Sequence, residues 1–168
     1  MNNFISFITI TIVSFYSLSI MGINGKMIEF NQFRGKKILI VNTATNSRYN
    51  SQIDNLEVLY QKYKTTLVIL AVPTNNFQHE NGSNTEIEQK MISGYHPTFD
   101  ISSLTNVQGA NQSPLYSWLS SSALNGQLDN LVPSDFTKYL INEDGTLVAV
   151  FGGSVDPMDS VVQNALKN

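Results

Sequence analysis

Few side chains in this sequence could do chemistry at neutral pH, and none of them is a cysteine. Without a thiol there is no disulfide, no thiolate metal site and no thiol nucleophile. Sulfur occurs only in five methionines, which can be oxidised but carry no poised reactive form. The histidines are two, His79 and His96. His79 stands beside Glu80 in a polar loop, where an imidazole can serve as a base or a ligand. One histidine with Glu80 and Asp135 is a sparse donor set, so no metal and no cofactor are expected. His96 precedes Pro97 and reads as a surface turn residue. What remains is hydroxyls and carboxylates, whose meaning depends on which loops bring them together.

The chain of 168 residues suits one domain with a short leading segment, and 42% apolar against 14% charged residues fits a globular protein. Net charge is −3 and Lys36–Lys37 is the only adjacent basic pair, which excludes a phosphate-tracking surface and makes nucleic acid an unsuitable partner. The first 25 residues carry no charged side chain. Phe4 to Val13 is apolar or hydroxylated, the length of a signal-peptide core and short of a membrane span. Residues 1–14 are therefore expected to be a signal peptide or an apolar anchor, and residues 15–168 the folded domain. That points to a secreted, periplasmic or membrane-anchored protein, with a cytoplasmic location still open. Membrane contact is expected only through that segment.

The elements that must position any site can be read along the chain. Gly22 to Gly25 is a turn between two short strands, Tyr16–Met21 and Lys26–Phe30, predicting an N-terminal hairpin. Ile38–Val41 is a β-branched and Leu run of a strand buried on both faces. From Gln52 to Lys64 the period changes, with Ile53, Leu56, Leu59, Tyr60 and Tyr63 on one helical stripe. Leu67–Val72 is a second buried strand, ended by Pro73. Strand, helix, strand implies parallel pairing through a right-handed crossover. The loop Gln78–Asn84 precedes a short helix at Thr85–Ile92, and Pro114–Leu119 reads as a helix with a Pro start, Trp118 packing in the core. Asn142-Glu143-Asp144-Gly145 joins strands Tyr139–Ile141 and Thr146–Phe151 in a hairpin. Asp156-Pro157 is expected to open a last helix, with Met158, Val161, Val162, Ala165 and Leu166 on its buried stripe. A βαβ unit followed by ββα is the order of an α/β thioredoxin-like fold: a central mixed β-sheet, helices on both faces and an N-terminal β-hairpin.

Several of these stretches resemble the glutathione peroxidase family in sequence, order and spacing. They are Gly35 to Thr45 (GKKILIVNTAT), Gln52 with Leu56 to Tyr63 (LEVLYQKY), Pro73 to Phe77 (PTNNF) with Glu80 to Ile87 (ENGSNTEI), Phe136 to Ile141 (FTKYLI) and Asp144-Gly145. Pro114-Leu115-Tyr116 with Trp118-Leu119 adds to the likeness. The resemblance implies hydroperoxide reduction with a thiol reductant such as glutathione or thioredoxin, part of an oxidative-stress response. It also implies where the site should be, and there the sequence departs from the family. Where the family uses cysteine or selenocysteine this chain has Ser47. Where it uses glutamine this chain has His79, or Gln78 if the loop is one residue short. Where it uses tryptophan-asparagine this chain has Ser134-Asp135.

Peroxide reduction needs an atom that attacks the O–O bond, is itself oxidised, and is returned by a thiol. A cysteine can be brought to the thiolate and its sulfenic acid is a stable intermediate; a serine oxygen has no equivalent state. The expectation is a pseudoenzyme: a family member without peroxidase turnover, Ser47 merely capping the helix after it and His79 facing water. Two alternatives stay open. One is residual thiol-dependent peroxidase activity by another route. The other is a serine hydrolase in which Ser47, His79 and Asp135, brought together as the family's pocket implies, act as nucleophile, base and orienting acid, with backbone N–H groups at the helix start holding the oxyanion.

Overall fold

The computed structural model describes residues 12–167. The proposed leading segment, residues 1–14, lies almost wholly outside them. Among the described residues no helix is long and apolar enough to cross a membrane.

The N-terminal hairpin is present and shorter than expected, with β1 at Ser19–Met21 and β2 at Met27–Glu29. Short 3-10 turns at Phe15–Ser17 and Phe30–Phe33 take the outer residues of both predicted strands. The sheet that organises the molecule has β3 (Lys37–Thr43) at its centre, flanked by β4 (Leu67–Pro73) and β6 (Lys138–Ile141), with β5 (Asp100–Ile101) and β7 (Leu147–Phe151) at the edges. β3 pairs parallel with β4 and antiparallel with β6, so the sheet is mixed as expected.

Every residue of β3 and β4 is buried, which is why both read as unbroken apolar runs rather than alternating ones. Alternation separates the two faces. Leu39 and Val41 pack with α1 (Gln52–Tyr63), α2 (Asn84–Tyr95) and α5 (Ser160–Lys167), while Ile38 and Ile40 pack with α3 (Pro114–Ser120) and with Phe15 and Phe30. Ile53, Leu56 and Leu59 of α1 are fully buried, each contributing about 1.5–3 kcal/mol. Trp118 is in the core, and its ring N–H donates to the Val13 carbonyl at 2.7 Å, fastening the first described residues to the corner of α3 and α4 (Ser122–Asn125).

The last helix begins later than its sequence suggests. Asp156 and Asp159 close a turn on themselves: the Asp156 N–H donates to Asp159 Oδ2 at 3.0 Å, and the Met158 N–H to Asp156 Oδ1 at 2.8 Å. The capping carboxylate thus shapes a turn, and α5 starts only at Ser160. Val162 and Leu166 then point inward, and Val161 faces solvent at 53% exposure, contrary to its expected place on the buried stripe.

The β6–β7 turn is fixed from outside the sheet. The Tyr16 hydroxyl donates to the Glu143 carbonyl at 2.6 Å, and the Tyr16 ring lies against Gly145, where a Cβ would come within 2.7 Å of it. Gly145 has φ +88°, so a side chain there meets both backbone strain and a ring. Gly145→Ala is expected to cost about 1–3 kcal/mol and lower Tm accordingly. Gly25→Ala, at a similar φ but in open space, should cost less. Thermal unfolding of the two variants checks the order.

Candidate functional site

Three loops meet at the ends of the central strands. The first runs from β3 to α1, the second from β4 to α2, and the third leads into β6. A buried carboxylate joins the first two. Glu80, 1% exposed, accepts from the Thr45 N–H at 2.7 Å and from the Thr45 hydroxyl at 2.8 Å, and Lys90 lies 4.0 Å away. The Asn46 N–H donates to the His79 carbonyl at 3.0 Å, adding a backbone tie beside it. Glu80 is thereby committed to the frame and turned away from His79 and Asp135 as a donor set. Among the described residues no group of three or more His, Asp or Glu side chains converges.

The third loop is held by Asn42 at the end of β3. Its side-chain amide donates to the Ser134 carbonyl at 2.8 Å, and the Phe136 N–H donates back to the Asn42 carbonyl at 2.6 Å. Phe136 adopts φ +60°, unusual for an aromatic residue. Its carbonyl takes a hydrogen bond from the buried Lys138 ammonium at 2.7 Å. Burial pushes the Lys138 amine down to about 8, against a smaller upward pull from Asp156 and Asp159. Gly153 closes the floor of the site. A Cβ there would fall 2.2 Å from the Asp135 carbonyl oxygen, and its own carbonyl accepts from Gln52 at the start of α1 at 2.8 Å.

These loops enclose a cleft of about 450 Å³ lined by Ser47, Arg48, Tyr49, Phe77, His79, Pro133, Ser134 and Asp135. Ser47, His79, Ser134 and Asp135 are thus brought together, and Gln78 is not. It is exposed, with φ +63°, and the turn it makes carries His79 into the cleft instead. His79 Nδ1 lies 2.5 Å from Asp135 Oδ2. Asp135 is 3% exposed and the imidazole 53%, so the carboxylate sits beneath a ring that still reaches solvent. Asp135 Oδ1 is buried with no partner.

Ser47 does not cap a helix. It lies in a run of turns before α1, whose N-cap is Ser51, and its Oγ accepts from the Tyr49 N–H at 3.3 Å. No hydrogen bond joins Ser47 to His79. The Ser134 hydroxyl donates to the Asp135 backbone carbonyl at 3.1 Å. The α1 N-terminus is therefore not the oxyanion donor that the sequence suggested; the free donors next to Ser47 belong to Arg48. Arg48, Tyr49, Phe77 and Pro133 were not read as site residues, although three of them adjoin one that was. Arg48 stacks over the Tyr49 ring at 4.6 Å and donates to its hydroxyl.

Comparison with known proteins adds the following. Residues 15–120 match a family model described as Glutathione peroxidase. A glutathione peroxidase of Lactococcus lactis subsp. cremoris is 34% identical over 147 residues, covering 86% of this chain and 93% of that protein. The crystal structure of Trgpx in its apo form superposes with a TM-score of 0.71 at 26% identity, covering 94% of this chain and 98% of that one. A thioredoxin-family thiol:disulfide interchange protein from Chlorobium tepidum gives a TM-score of 0.66 at 16% identity over 93% of this chain and 97% of that one, a likeness of fold.

Two outcomes follow from this construction. Glu80→Ala should destabilise the protein by about 3 kcal/mol, since it strips a charged acceptor from two donors of Thr45. Hydrogen exchange at Thr45 and Asn46 should rise more than at β4. The Lys138 amine holds its proton less firmly folded than unfolded, so the unfolded state binds more protons between about pH 8 and 10. Stability from this group therefore rises as pH climbs through that window and is lost as pH falls through 8. Lys138→Met should remove that slope in denaturant unfolding measured across the same range.

Proposed function

Since the chain belongs to the glutathione peroxidase family, we propose that it keeps the family's frame and cleft but has no peroxidase turnover. One observation carries this: the atom at the tip of residue 47 is oxygen, and the sequence holds no cysteine to replace it. Reduction of a hydroperoxide breaks an O–O bond and leaves the attacking atom oxidised until a thiol reduces it. Sulfur and selenium support that cycle and a serine hydroxyl does not, whatever surrounds it. The substituted neighbours support the same reading, because His79 is engaged by Asp135 rather than facing a thiolate.

The cleft remains, with apolar walls from Tyr49, Phe77 and Pro133 and polar groups at its base. A hydroperoxide or a thiol is the ligand class its ancestry favours, bound without redox turnover. The apolar stretch from Phe4 to Val13 supports a role outside the cytoplasm, as a secreted, periplasmic or anchored protein.

The test is peroxide consumption with glutathione or thioredoxin, comparing the wild type with Ser47→Ala. Both should sit at the same background, and turnover that disappears in Ser47→Ala would overturn the proposal. Ser47→Cys should recover little activity, because the His79, Ser134 and Asp135 positions differ from the family's as well. Brisk turnover in that variant would mean that sulfur alone was missing.

A further inference from the structure

We propose that the same cleft is an acyl-transfer site that hydrolyses carboxylic esters, with Ser47 as nucleophile, His79 as general base and Asp135 as the group that orients it. The inference goes beyond loss of peroxidase turnover and rests on which bonding positions in the cleft are spent and which are free. Asp135 is buried, and one of its oxygens meets His79 Nδ1 at 2.5 Å. That bond fixes the tautomer with its proton on Nδ1 and leaves Nε2 as an acceptor. Nε2 has no partner among the described residues, and the ring is half in solvent, open to the cleft.

Two serines border the cleft, and only one of them has a free proton. The Ser134 hydroxyl donates to the Asp135 carbonyl. Ser47 Oγ only accepts, from the Tyr49 N–H, so its own O–H is uncommitted. Nucleophile and base stand on loops already tied together, by Asn46 to the His79 carbonyl at 3.0 Å and by Glu80 to Thr45. These ties hold the loops that carry Ser47 and His79 side by side, and both residues line the one cleft.

Charge stabilisation comes from Arg48. Its backbone N–H makes no hydrogen bond among the described residues, and its guanidinium donates only to Tyr49, although it borders the cleft. Either group can receive the negative oxygen that develops on an ester carbonyl. Tyr49, Phe77 and Pro133 suit an apolar acyl or alcohol group.

The step balances without an oxidant or reductant. Ser47 Oγ bonds to the acyl carbon as its proton passes to His79 Nε2. The ester C–O bond then breaks and the leaving alcohol takes that proton. Water repeats the sequence on the acyl-serine, releasing a carboxylic acid and free Ser47.

A fluorophosphonate probe followed by peptide mass spectrometry tests this, alongside hydrolysis of p-nitrophenyl butyrate. The expected result is a label on Ser47, abolished in Ser47→Ala, slowed about a hundredfold or more in His79→Ala and strongly slowed in Asp135→Asn. His79→Ala leaves the buried Asp135 carboxylate without its partner and should lower Tm, so labelling is compared well below the Tm of each variant. His79→Gln, which can still donate to Asp135 but supplies no base, should be slowed equally. No label, a label on Ser134 or elsewhere, or labelling of Ser47 that is unchanged in His79→Ala would each overturn the proposal.

Discussion

The site depends on a carboxylate buried behind the cleft rather than lining it. Glu80 is taken out of water at the point where two loops cross, and a buried charge is tolerable only when its acceptor positions are filled. Thr45 fills them with a backbone and a side-chain donor, and Lys90 adds a distant counter-charge. The pairing leaves the loop after β3 one place to lie. Asn42 does the same for the third loop, using side-chain amide and backbone carbonyl together. Positions of Ser47, His79 and Asp135 follow from these ties.

Frame and cleft side chains are thus largely separate, so the family likeness can rest on the frame alone. Thr45, Glu80, Asn42 and Gln52 make bonds that hold backbone in place, and those bonds are indifferent to what residue 47 carries at its tip. The pair formed by His79 and Asp135 is equally compatible with the frame, since the imidazole reaches outward from a loop that Glu80 already fixes.

Much of the fold was legible because its signals were local. β3 and β4 declare themselves by apolar runs and α1 by its period. The ββα order was readable, yet the start of α5 was not. Asp156-Pro157 carries a good helix-start signature, but Asp156 spends its carboxylate on the Met158 N–H and gives its own N–H to Asp159, closing a separate turn ahead of the helix. β5, only Asp100–Ile101, is too short to have a pattern. At the site, composition showed which chemistry was missing, and resemblance suggested which positions gather. It left Gln78 and His79 open, because a positive φ at residue 78 decides between them, and glutamine gives no warning of that. Arg48 and Tyr49 went unread since nothing in their types distinguishes a cleft wall from a surface turn.

Gly153 sets a spatial limit on the cleft. With the Asp135 carbonyl pressed over its Cα, the Tyr49 ring alongside and Gln52 hooked to its oxygen, this residue is where the exit of β7, the first turn of α1 and the loop carrying Asp135 bear on one another. A side chain at position 153 would have to part all three, pushing the Asp135 carbonyl off a loop that Asn42 ties to β3, so this one position has room for a hydrogen and no more.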